Sequence, residues 1–230
     1  MARLKCLLIT SLDTDWLSEF SINAITKEME IIKVLRLNRE SASIDSMRSD
    51  LQVLPNFDYL INFLSPKKIP EWLLAKSAIA AINFHPGSND YPGVGSASLS
   101  IYDQKEFFGV TAHLMNNTID SGQIISQRFF RQEIHFTCEE LFTRALKECC
   151  RLLTDVLDLI SNGQALTEVA KWTRSPTTRE EFSNWLIITS LPPSSEVDRK
   201  VQSSRHTAFP GPYIRIGTHL FSYSSTEAEE

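Results

Sequence analysis

Three apolar, β-branched runs, Leu4 to Thr10, Met29 to Leu37 and Asp58 to Leu64, alternate with polar segments of helical spacing, Trp16 to Lys27 and Ile44 to Leu54. Strands apolar on both faces are buried on both faces, and strand–helix–strand alternation closes as a parallel sheet with crossover helices. The chain is therefore expected to be an α/β protein, a Rossmann-like parallel sheet flanked by helices. Pro70 stands where a first helical turn would begin, so a helix is expected to about Ser77, followed by a strand from Ala80 to Phe84 with His85 at its carboxyl end. Open α/β sheets bind ligands beyond the carboxyl ends of their strands, which makes His85 a candidate by position.

The next residues, PGSNDYPGVGS, hold too many helix and strand breakers to be either, and read as a binding loop or an ordinary turn. A helix is expected from Ser96 to Asp103, then strands from Gly109 to Met115 and Gln123 to Arg131, a hairpin hung on the sheet and joined through Asp120-Ser121-Gly122. From Thr137 to about Ser161 the apolar residues fall at three- and four-residue steps, with Thr137 and Glu140 as cap and Asn162-Gly163 as stop. Beyond this helix the composition turns to Thr, Ser, Pro and Arg. A short helix near Arg179 to Ile188, a loop at Leu191-Pro192-Pro193 and a strand hairpin around Gly217 make a small mixed C-terminal extension, and the last seven residues read as disordered. Residues 1–163 are thus expected to form the main domain and 164–230 the extension.

Charge excludes some functions. A net charge of -5 argues against a nucleic-acid surface, which needs clustered Lys and Arg to displace counterions. The run from Cys6 to Ile9 is too short for a signal segment, and no later apolar run approaches the roughly 20 residues that span a bilayer. Cys6, Cys138, Cys149 and Cys150 have no metal-ligand spacing and, with two adjacent, no disulfide framework. The expectation is a cytoplasmic protein with reduced thiols and no metal.

The chemistry lies between Ile82 and Ile124. Asn83 and His85, two apart on one strand, emerge on the same face. An amide that donates to a developing oxyanion, an imidazole that exchanges a proton and Asp120 as the carboxylate that orients the imidazole would together serve transfer of a carbonyl-bearing group. The same residues also read as a strand-end cap, a satisfied half-buried histidine and a turn opener, because 35 residues of sequence separation say nothing of distance.

INFHPGSNDYPGVG followed by FGVTAHLMNNTIDSGQII resembles the signature of the 10-formyltetrahydrofolate-dependent formyltransferases: Asn-x-His-Pro, a loop, Gly-Val-Thr-x-His, then Asp-x-Gly before an Ile-Ile strand. The resemblance implies that Asn83, His85 and Asp120 are catalytic and that His113 braces them. FLSPKKIPEWL is similar to the family's folate-lining segment, which implies a pterin held by main-chain groups among Leu64, Ser65, Lys67 and Ile69, closed by Ile82 and the turn from Asn116 to Asp120. The loop departs from the His-Pro-Ser-Leu-Leu-Pro form usual where glycinamide ribonucleotide or methionyl-tRNA is the acceptor, and the tail, KWTRSPTTREEF and RHTAFPGPYIRIG, is similar to that of the sugar N-formyltransferases. The acceptor so implied is the amino group of a nucleotide-linked amino sugar such as a 4-amino-4,6-dideoxyhexose, of the kind used in O-antigen biosynthesis. Its pyrophosphate and base would call for Arg205 and for Tyr91 or Tyr213, with Gly93 of Gly93-Val94-Gly95 as a weaker phosphate candidate. A homodimer follows by analogy. The alternatives are formylation of glycinamide ribonucleotide or another small amine, hydrolysis of the formyl donor, and a catalytically silent folate- or nucleotide-binding module.

Overall fold

The computed structural model describes residues 3–189, 192–206 and 211–223. Six strands form one sheet in the order β2-β1-β3-β4-β5-β6: β1 Lys5–Ser11, β2 Glu30–Leu37, β3 Phe57–Phe63, β4 Ser77–His85, β5 Phe107–Leu114 and β6 Ile124–Arg131. The first four are parallel, and β5 and β6 continue the sheet antiparallel, with Asn83 opposite His113. The anticipated hairpin is therefore part of the main sheet, because β5 pairs directly with β4.

Side-chain alternation splits the core between the two faces of the sheet. Leu8, Ile61, Ile82 and Phe84 pack with Leu17 and Ile25 of α1 (Asp15–Glu28), with Ala97 and Ile101 of α4 (Ser96–Tyr102) and with the apolar stripe of α5 (Cys138–Ser161). Leu7, Ile9 and Leu60 pack with Leu51 of α2 (Arg48–Gln52) and Leu73 of α3 (Glu71–Leu74). α5 opens on the expected capping box, in which Thr137 Oγ1 accepts from Glu140 N–H and Glu140 accepts from Thr137 N–H. All four cysteines are buried and unpaired, and burial pushes the Cys6 thiol up to about 12.

Three elements differ from expectation. The helix after Pro70 is a single turn, because β4 begins at Ser77 to reach its pairing with Phe57. The segment from Ile44 is a 3-10 turn, Ile44–Met47, followed by α2. In the extension, α6 (Arg179–Trp185) stops short of the expected end, so that Ile187–Ile188 is free to pair as β7 with β8 (Tyr213–Ile216), which pairs in turn with β9 (His219–Ser222). Between β7 and β8 a helix, α7 (Ser194–Ser204), stands just after the expected loop, with Pro193 as its N-cap. Leu191 and the expected disordered tail, 224–230, lie outside the described residues.

Candidate active site

β4 ends at His85 because Pro86 has no N–H to continue a ladder. Gly87 then lets the chain pass against the imidazole: a Cβ there would stand 2.4 Å from His85 Nε2 and 2.7 Å from the Ser96 Cβ. His85 Nε2 donates to the Tyr91 carbonyl at 2.8 Å, while Nδ1 lies 3.1 Å from Asp120 Oδ2. His113, from β5, repeats the pattern: Nδ1 donates to its neighbour's carbonyl, Leu114, at 3.0 Å, and Nε2 lies 3.1 Å from Asp120 Oδ1. His85 thus faces two acceptors, and only a doubly protonated ring donates to both, whereas His113 Nε2 also lies 3.0 Å from Asn83 Nδ2 and either donates to Asp120 or accepts from Asn83 according to its tautomer.

Asp120 sits in the left-handed region, φ 42, which swings its carboxylate under β4 and β5. It is buried, and it accepts from Gly93 N–H at 2.9 Å and from Asn83 Nδ2 at 3.2 Å besides facing both imidazoles. Burial pushes its carboxyl up, but the charge of His85, the hydrogen bond and charge of His113 and the Gly93 N–H bring it down to about 2. The carboxylate is held ionised. Asn83 Oδ1 in turn accepts from Asn62 Nδ2 at 2.7 Å, across the β3–β4 pair in which the two asparagines are register partners. The structure therefore brings Asn83, His85 and Asp120 into one hydrogen-bonded cluster and adds His113 to it. Asn83, at its edge, is half-buried where the other three are buried.

The residues after α5 return over this cluster. Val169 N–H donates to Ile124, Thr173 N–H to Asn89, and Thr177 bridges Gly93, with Thr177 N–H donating to Pro92 and Val94 N–H to Thr177. In this strap Trp172 meets His113 edge-on at 5.3 Å and His85 at 5.9 Å, and its indole N–H donates to the Gly122 carbonyl at 2.8 Å. A cavity of about 510 Å³ reaches Asp120 between Thr118, Ser121 and residues 172–176. Another of about 600 Å³ shares Ser121 and Trp172 and is walled by Glu168 and Lys171.

The other expected residues fall in different places. Leu64 leaves β3 with φ 64 and takes Ser65 to Ile69 out of the ladder, so their main chain is not committed to the sheet. Two side chains of the segment are spent elsewhere: Lys67 Nζ donates to the Arg39 and Ser41 carbonyls, and Ile69 is buried in the core. Ile82 is fully buried on the face of the sheet opposite Asn83, so only its main chain could meet a ligand. Asn116 Oδ1 accepts from Thr118 N–H and Ser121 Oγ and shapes the turn before Asp120.

Tyr91 does not offer its ring to a ligand: it is 1% exposed, packs on Phe108 and donates its hydroxyl to Asp103, and only its carbonyl serves the site. The Gly93 and Val94 N–H groups are engaged by Asp120 and Thr177, so this turn is no phosphate cradle. Arg205 caps α7, Tyr213 lies in β8, and among the described residues neither is hydrogen-bonded or ion-paired to the cluster. The arginine that lines the Asp120 cavity is Arg174, its guanidinium 4.6 Å from the Tyr91 ring centre and 3.7 Å from Asp103.

No protein-family model matches the chain, and no curated protein is detectably similar to it in sequence. Solved structures match it in fold. A sugar N-formyltransferase from a Shewanella species superposes with a TM-score of 0.76 at 18% identity, over 96% of each chain. A 4-N formyltransferase from Francisella tularensis gives 0.73 at 18% identity, over 97% of this chain and 98% of its own. An N-formyltransferase from Helicobacter canadensis, in complex with folinic acid and dTDP-3-aminofucose, gives 0.68 at 17% identity over 94% and 85%. The fold is one shared with sugar N-formyltransferases.

Proposed function

We propose that the protein is an N-formyltransferase that moves a formyl group from 10-formyltetrahydrofolate to the amino group of a nucleotide-linked amino sugar. The observation that carries this reading is the buried Asp120 carboxylate, shared by His85, His113 and Asn83 where β4 ends, within a fold common to enzymes of that kind. The folate complex of the Helicobacter protein supports the choice of donor, and its dTDP-sugar the choice of acceptor.

The residues present fit a folate. The segment after Leu64 offers main-chain groups outside the sheet, as recognition of a pterin edge requires, and the donor then supplies an activated formyl carbonyl. Asn83 carries two Nδ2 hydrogens. One goes to Asp120, and the other, when His113 Nε2 at 3.0 Å does not accept it, donates to the carbonyl oxygen as negative charge gathers there, a contribution of roughly 3–4 kcal/mol for a preorganised donor. With Nε2–H held on the Tyr91 carbonyl, singly protonated His85 takes up at Nδ1 the proton that the amine loses, by way of the Asp120 carboxylate 3.1 Å away, which stabilises the imidazolium so formed. Arg174, at the rim of the Asp120 cavity, is the cation placed to meet the acceptor's phosphates. Residues 1–163 supply the reacting groups, and the extension supplies Trp172, Arg174 and, through the exposed Ile214, Ile216, Leu220 and Phe221 of β8 and β9, the contact of a homodimer.

The test is incubation with 10-formyltetrahydrofolate and a panel of dTDP- and UDP-linked amino sugars, followed by mass spectrometry. One acceptor should gain a formyl group, and His85→Asn should bind folate as the wild type does while turnover falls by orders of magnitude. Formate release with no formylated amine would sink the assignment.

A further inference from the structure

Asn62 lies beside the reaction centre without touching it. It is 5% exposed, it donates from Nδ2 to Asn83 Oδ1 at 2.7 Å, and its own Oδ1 is buried with no partner among the described residues. An amide can be turned end for end at no cost in shape, so only its neighbours decide which end of Asn83 faces the site. Two neighbours do. On the site side Asp120, ionised and 3.2 Å away, accepts from Nδ2 and would repel an oxygen placed there. On the far side Asn62 donates to Oδ1 and would repel a nitrogen.

We infer that Asn62 is a positioning residue, which locks the Asn83 side chain with its NH2 end toward the reacting carbonyl by donating to the other end. The inference rests on the formyl-transfer reading for what the NH2 end does, but not for which way it points. Asn62 is placed for the task by register alone: it is the β4 neighbour's opposite number, on the same face of the sheet as Asn83. The orphaned Oδ1 also sets it apart from a residue kept for stability. A buried acceptor without a donor is a cost to folding, so Asn62 is an expensive way to fill this position.

The test is Asn62→Asp, compared with the wild type across pH. A carboxyl in this setting, buried and near Asp120, titrates above the usual carboxylate range. Protonated, its O–H donates to Asn83 Oδ1 and keeps the native orientation. Ionised, it accepts from Nδ2 and turns the amide round. The ratio of variant to wild-type kcat should therefore be near one at acid pH and fall by roughly 100-fold as the new carboxyl ionises, with KM little changed. A ratio flat with pH, or unreduced kcat at neutral pH, would overturn the inference.

Asn62→Leu covers failure of the Asp variant to fold. It removes the orphaned acceptor with the donor, so its melting temperature should stay close to the wild type while kcat falls; a matching loss of stability and activity would mark Asn62 as merely structural. NMR supplies a readout that needs no turnover. Cross-peaks between the Asn83 NH2 and the His113 ring protons should be present in the wild type, lost in Asn62→Asp at neutral pH and restored at acid pH. Their persistence in both variants would refute the lock even if the wild type proved inactive toward every acceptor, an outcome that would count only against the proposed reaction.

Discussion

Asp120→Asn measures how much stability the ion cluster stores. Asn enters the left-handed region at least as readily as Asp, so at φ 42 the exchange removes the charge and leaves the backbone at rest. Folding takes the carboxyl from 3.8 to about 2, burial opposing the change and His85, His113 and the Gly93 N–H together outweighing it. At about 1.4 kcal/mol per pH unit, that displacement is worth about 2 kcal/mol. The folded value lies below the unfolded one, so the stabilisation is complete above about pH 4 and lost as pH falls through about 2. Urea titrations should then place the wild type at least about 2 kcal/mol above the variant near pH 5, above the window in which the Asp120 carboxyl titrates. The gap should narrow steadily toward pH 2. An Asn side chain also turns an NH2 toward donors, a cost that does not depend on pH, so it is the change in the gap that tests the reasoning. A gap of constant size across that window would mean that the imidazoles do not hold the carboxylate charge.

Other substitutions probe the surroundings. Gly93→Ala, at φ 85 and with its Cβ 2.3 Å from the Thr177 carbonyl, should lower stability by more than the ~1–2 kcal/mol of a strained φ alone and should weaken turnover by drawing the Gly93 N–H off Asp120; thermal melts and kcat read the two effects. Trp172→Phe keeps an aromatic edge on the histidines but loses the indole bond to Gly122, and should cost about 1 kcal/mol in chemical denaturation, with Trp172→Ala costing more. Lys200, whose ammonium lies 3.5 Å from the Trp185 ring centre, is pushed down from 10.5 to about 8 by burial. Its folded value lies below its unfolded one, so relative to Lys200→Met the wild type should gain stability as pH rises from about 8 to about 10.5; a loss over that range would contradict the burial. Thr137→Ala should cost about 1 kcal/mol in melting experiments by opening the capping box of α5.

The parallel core was legible because β1 and β3 are apolar on both faces, and α5 because its stripe runs at helical spacing over 24 residues. α3 was overestimated for the converse reason. Trp72, Leu73 and Leu74 continue apolar toward Ile79, and no local signal says that the chain must already be extended at Ser77 to pair with Phe57. α7 escaped notice because SSEVDRKVQSS has only Val197 and Val201 at helical spacing. The likeness between Asn83 and His85 could be read from parity alone, whereas Asn62 is tied to them only by strand register and Trp172 only by the return of the strap. Tyr91 illustrates the opposite error: an aromatic in a glycine-rich loop reads as a ligand platform, but Phe108 and Asp103 give its ring and hydroxyl a buried home.

That burial alters what the loop says about the acceptor. Its departure from a Ser-Leu-Leu-Pro form pointed toward a sugar, yet four residues of the loop have tasks inside the protein. Gly87 clears the His85 ring, Tyr91 anchors the loop in the core and accepts from His85, and Gly93 gives its N–H to Asp120 and its close approach to Thr177. Asn89 holds the strap, donating to the Lys171 carbonyl and accepting from Thr173 N–H. The loop is thus shaped by the strap that crosses it, and the strap carries the groups that face the cavities, Trp172, Arg174 and Lys171. The groups that wall the cavities therefore come from residues 168–176, and loop and strap are bound to each other through Asn89, Pro92 and Val94. A change in either segment alone would break the hydrogen bonds through which the strap holds the loop, and with them the Tyr91 carbonyl and Gly93 N–H that meet His85 and Asp120.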